Sequence, residues 1–222
     1  MTATSTPFGH EIFQRNGGLV HVATRAVSAL VLGGALGVPT LAAQGIRSQF
    51  GIGLGRAIPT EAFRGDSSGE GFNASWLGRV EVTLHRPGLP LGLRLDAAYS
   101  AHGANDQLKS DLTTALGQPA DESIKLLGAN AALTAALGRG SRVTPHLFGG
   151  VGVYHLTVSV TAGSTTTQNS GTKLAWQVGG DLTYRALFLD IRYISVAAVS
   201  GFPRSTFVPV TVGLRFNEHS AP

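Results

Sequence analysis

The 222-residue chain contains no cysteine. That absence removes a disulfide framework, a thiolate-ligated metal site and thiol catalysis from consideration. Charge is scarce as well: Asp, Glu, Lys and Arg make up 14% of residues, the formal net charge is only +4, and no Lys/Arg run occurs. Nothing here forms the basic footprint of a nucleic-acid partner. A membrane anchor is the rival reading of one N-terminal segment, and its length argues against it. The apolar run Ala26 to Val38 (AVSALVLGGALGV) holds two adjacent glycines and ends at Pro39, short of the roughly 20 residues such a helix needs.

What is present suits strands and turns: 30 glycines and 43% hydrophobic residues. Arg25, the apolar run and the small-residue stretch PTLAAQG have the layout of a secretory signal, with cleavage expected near Ala42 to Gln44. Residues 1–43 are therefore expected to be an N-terminal extension and signal peptide, 44–216 the folded domain, and 217–222 a short tail.

Beyond the signal no convincing amphipathic helix is evident, and apolar residues recur at every second position. In KLAWQVGGDLTYRALFLDIRY (Lys173 to Tyr193), Leu174, Trp176, Val178, Leu182 and Tyr184 share one parity, while Lys173, Gln177, Asp181 and Thr183 share the other. Leu187, Leu189, Ile191 and Tyr193 then alternate with Asp190 and Arg192. That period belongs to strands. Similar segments run over 47–58, 73–85, 91–100, 123–137, 143–160 and 207–216, making eight in all. A helix is the rival reading for the Ala-rich segment 123–137, but its flanking turns favour a strand.

The connections alternate too. Those after the second, fourth and sixth segments are short, whereas loops near 59–72, 101–121, 161–171 and 200–206 are longer and rich in polar residues. An even strand number, strands of about ten residues and short turns at one end define an antiparallel up-and-down transmembrane β-barrel. Its apolar parity faces lipid and its polar parity faces the lumen. Eight strands close around side chains and leave no open channel.

This inversion places Arg79, Glu81, Arg94, Asp96, Asp181, Asp190, Arg192 and Arg215 inside, with as many cations as anions. An outward Arg at the bilayer midplane would cost about 2–4 kcal/mol, and an unpaired buried charge is also costly. The lumen is thus expected to be plugged and ion-paired. A four-residue loop at 86–89 would set Glu81 opposite Arg94 and Arg79 opposite Asp96. A four-residue loop at 185–188 would oppose Asp181 to Arg192; a two-residue loop would oppose Asp181 to Asp190, tolerable only if Arg192 bridges them.

The strand opening TPHLFGGVGVY (Thr144 to Tyr154), the strand LDIRY (Leu189 to Tyr193) and the closing PVTVGLRF (Pro209 to Phe216) resemble the small eight-stranded outer-membrane β-barrels of the OmpA/OmpX-like superfamily. The resemblance implies outer-membrane lipid as the surroundings. It also implies a barrel-assembly machinery that reads Val212, Leu214 and Phe216, although here a six-residue tail, Asn217 to Pro222, follows the aromatic.

No cofactor, metal or catalytic motif stands out. FGGVGVY is not followed by the lysine and helix that a phosphate loop requires, so its glycines are read as points of close approach between neighbours. His155 and Ser159 share a parity but lie about 13 Å apart along a strand. The expected role is non-enzymatic: envelope integrity or surface contacts through the long loops, with an unidentified partner. A narrow conduit for small apolar molecules, a lipid-modifying enzyme and a soluble lipocalin-like carrier are the alternatives.

Overall fold

A computed structural model describes residues 45–65, 71–138, 142–198 and 204–217. The expected signal at 1–43 and the tail from 218 to 222 lie outside the described residues. Eight strands run in chain order: β1 (Arg47–Thr60), β2 (Ser75–His85), β3 (Leu91–Gly103), β4 (Ala120–Ala136), β5 (Val143–Ala162), β6 (Thr165–Tyr184), β7 (Leu187–Val196) and β8 (Ser205–Asn217). Each pairs antiparallel with the next, and β8 returns to β1, so the sheet closes into an up-and-down barrel without a free edge along its wall.

Period-two alternation sets the two surfaces. Leu54, Leu133 and Leu174 face outward and are 68%, 69% and 70% exposed, and Val80, Val151, Val178, Ile191 and Val212 join them. Arg79, Glu81, Arg94, Asp96, Asp181, Asp190, Arg192 and Arg215 all face inward and are at most 4% exposed. An apolar exterior around a charged interior is the reverse of a soluble sandwich or carrier.

The structure corrects two expectations from the sequence and decides a third point that had two alternatives. First, the β2–β3 ladder pairs Glu81 with Asp96 and Thr83 with Arg94, so Glu81 does not lie opposite Arg94 nor Arg79 opposite Asp96. Second, of the two turn lengths left open between β6 and β7 the structure has the two-residue Arg185–Ala186, which sets Asp181 opposite Asp190 and not Arg192. Third, a helix does follow β3: α1 (Asp106–Leu116). The Asn105 side chain caps it by accepting from the Leu108 N–H at 2.9 Å, Asp106 sits at its positive end, and Gly117 closes it in the left-handed conformation (φ 67°). No residue of α1 is buried, which explains why a search for an apolar stripe passes over it.

The β5–β6 hairpin is also longer than the sequence implies. Residues 165–171, expected in a loop, continue the ladder to Ala162 opposite Thr165 across a turn in which Gly163 adopts φ 57°. Ser, Thr, Asn and Gln there favour turns only weakly against a register already set below them.

Candidate functional site

The short-turn half of the interior is an ionic network. Arg79 reaches Glu81 at 3.0 Å and Asp190 at 2.9 Å; Arg215 reaches Glu81 at 2.6 Å and Asp181 at 2.7 Å. Arg192 donates to Asp190 at 2.9 Å, Asp96 at 2.6 Å and Gln177 at 2.8 Å. Arg94 joins Asp181 to Asp190, at 2.5 and 3.3 Å. His146 Nδ1 adds a contact to Asp181 at 3.0 Å, and Asn130 donates to Asp96 at 2.7 Å.

These contacts explain how two like-charge pairs persist. Glu81 faces Asp96, and Asp181 faces Asp190, across adjacent strands, an arrangement that destabilises a ladder when uncompensated. Compensation comes from across the bore. β3 and β7 stand on opposite walls of the eight-strand cycle, and Arg94 to Asp190 and Arg192 to Asp96 link those walls in both directions. Arg94, not Arg192, bridges Asp181 and Asp190. Such geometry satisfies several carboxylate oxygens at once, the condition under which buried ion pairs offset their desolvation.

Two aromatic rings floor this network. Arg94 and Arg192 lie 4.6 and 4.8 Å from the Phe148 ring centre, and Arg79 and Arg215 lie 5.2 and 4.5 Å from that of Phe188. Stacking on a ring suits guanidinium, which gives up little hydration there. Room for the rings comes from glycine: a Cβ at Gly179 would strike Phe148, and one at Gly213 would strike Phe188. In FGGVGVY, Gly150 and Gly152 likewise leave no space for a Cβ beside Ala132 and Asn130.

The long-loop half is different. Leu77, Ile124, Leu126, Leu156, Ile194, Val196 and Phe207 fill it, and Phe63, from the 3-10 turn Glu61–Phe63, caps it from above. Sequence reading missed this apolar layer; the signal was available in Ile124 and Leu126, which share the parity of Asn130. Tyr154 joins the halves, its ring 5.9 Å from Phe207 and its hydroxyl 3.4 Å from Asn130.

His85 and His146 line one cavity at the short-turn end, but among the described residues no cluster of His, Asp and Glu could hold a metal. His155 contacts Thr172 at 3.1 Å on the surface. A Ser–His contact not singled out from sequence is Ser100 to His102 Nε2 at 3.2 Å, with Nδ1 2.9 Å from the Asn73 carbonyl. It is sealed beneath Phe63 and Phe207, whose rings pack on the imidazole at 5.3 and 6.4 Å. That setting describes a satisfied core histidine. Val212, Leu214 and Phe216 face outward on β8, 56%, 40% and 53% exposed.

Fold and exterior together define an integral β-barrel of the small outer-membrane type. No family model and no curated sequence matches the chain. Among solved structures it is similar to Ail, the attachment invasion locus protein of Yersinia pestis, at 14% identity and a TM-score of 0.53, over 77% of this chain and 98% of Ail. A major outer membrane protein from Thermus thermophilus is similar at 13% identity and a TM-score of 0.57, over 78% of this chain and 99% of that one. At these identities the likeness is one of fold.

Proposed function

We propose that this is a non-enzymatic outer-membrane protein with a sealed bore, which makes contacts at the cell surface through its long-loop end. Residues 1–43 are removed on export, 44–216 form the barrel, and Val212, Leu214 and Phe216 present the strand read by the assembly machinery. Ion pairs that join opposite walls cross the bore, which argues against an axial conduit.

The observation that carries the surface role is a sheet projecting past the barrel wall. β5 and β6 remain paired up to Ala162 and Thr165, whereas β7 joins β6 only from Ala175 onward. On the other side, α1 packs against β4, tied by Lys109 to Asp121 at 3.4 Å and by Thr113 to the Ala120 N–H at 3.1 Å. One edge of the projection is thus covered. The other, Thr165 to Thr172, pairs with no described residue, and an open edge of Thr, Gln, Asn and Ser offers backbone hydrogen bonds to an extended partner segment.

Protease treatment of intact cells tests the reading. Cleavage within 161–171 from outside, on a protein that fractionates with the outer membrane, is expected. Protection in intact cells, with cleavage only after the envelope is opened, would reject it. Cells whose barrel has the hairpin shortened to Thr157–Ser170 are expected to lose surface contacts that wild-type cells make with immobilised extracellular proteins.

A further inference from the structure

Charge on the lipid-facing parity is rarer than in the sequence as a whole. Among the described strand residues, Arg56, Lys125 and Asp121 alone carry full charge on that face. Asp121 is paired with Lys109. Arg56 and Lys125 are exposed, basic and in no ion pair with a described residue. Both stand toward the long-loop end of the same wall, Arg56 on β1 beside Trp76 of β2, and Lys125 on β4 beside Ala101 of β3.

Their surroundings differ from generic anchoring. The Arg56 guanidinium lies 5.4 Å from the Trp76 ring centre and donates to the Ala74 carbonyl at 3.1 Å, beyond the start of β2. Its head is therefore held toward the membrane surface with N–H groups to spare. Directly below, the same four strands carry an apolar groove of about 340 Å³ between Leu54, Gly78, Val80, Ala97, Tyr99 and Leu127. Gly78 and Ala97 open it where flanking positions carry larger side chains. Three interstrand steps separate Arg56 from Lys125, about 14 Å along the sheet.

We propose that this wall binds one phosphorylated glycolipid of the adjoining leaflet, with one phosphate at Arg56, a second at Lys125 and an acyl chain lying in the groove. The Arg56 head is held at Trp76 of the neighbouring strand while Lys125 stands on β4, two strands further on, so a headgroup bearing two phosphates lets each cation meet its own without either being drawn across the sheet. Arg56 supplies a planar fork for one phosphate and Lys125 a point charge for the other. This proposal goes beyond the surface role and does not depend on the open edge of β6.

Native mass spectrometry of the folded barrel tests it, using a bis-phosphorylated acyl-disaccharide, its monophosphorylated form and phosphatidylcholine as probes. The wild type is expected to retain the bis-phosphorylated lipid at least fivefold over the other two. R56Q/K125Q is expected to bring retention down to the phosphatidylcholine level, and Gly78→Leu to lower it with the cations intact. Retention unchanged in R56Q/K125Q, equal retention of the two phosphorylated forms, or a second copy of the chain filling the groove would each overturn the proposal. Should the double variant not fold, Lys125→Gln with recovery in Lys125→Arg gives the same decision. Heat-dependent gel mobility reports folding independently: a barrel that folds without lipid preference refutes the site alone, and one that never folds in bilayers refutes the membrane reading.

Discussion

The two halves of the bore share one backbone alternation but are filled with opposite chemistry. Near the short turns, four arginines and four carboxylates form one network, two of whose ion pairs link opposite walls. Near the long loops, Leu126, Leu156, Ile194, Val196 and Phe207 form an apolar cluster beneath Phe63, with His102 the buried polar ring packed into it. The contrast teaches that inward parity decides only that a residue leaves the lipid. Whether it is then ionic or apolar depends on what closes that end. Charges fill the half that walls alone must seal; hydrocarbon fills the half that a loop residue covers.

Breaking the ionic half should have the largest effect. Asp190 pairs with Arg79, Arg94 and Arg192, so Asp190→Ala takes one carboxylate from three buried arginines at once, leaves the network with an excess of buried positive charge and should cost about 3–5 kcal/mol, read as a lower urea midpoint for the barrel in vesicles. Leu156→Ala in the other half removes only packing. It should cost about 2–4 kcal/mol, with a midpoint independent of salt. Tyr154→Phe probes the seam: losing the hydroxyl near Asn130 should cost about 1 kcal/mol and leave the apolar layer intact, as seen by hydrogen exchange in β5. Leu54→Ala, on the lipid face, should fall within about 0.5 kcal/mol, because lipid fills the space; a loss as large as that of Leu156→Ala would mean that Leu54 is not lipid-facing.

Much of the architecture was legible before any coordinates. Strand number, closure and the inward parity of Arg79 through Arg215 follow from period two and from the asymmetry of the connections. Register was not. Alternation fixes a residue's face but not its partner, so Glu81 could equally be set against Arg94 or Asp96, and the cross-strand pairing that looked favourable gave way to pairing across the bore. That solution is invisible in sequence because β3 and β7 are remote in the chain. α1 was missed although Asn105 and Gly117 bracket it, since it buries no stripe. The apolar upper layer was missed because the polar residues of the lower interior do not represent the whole inward face.

The most direct test is nitroxide accessibility along β2, with single labels at positions 76 to 84. The outward positions 76, 80, 82 and 84 should be readily reached by oxygen dissolved in the bilayer, and positions 77 and 83 by neither oxygen nor a water-soluble nickel chelate. Oxygen access at 77 and 83, or chelate access throughout 79 to 83, would contradict a barrel whose ionic face is sealed inside.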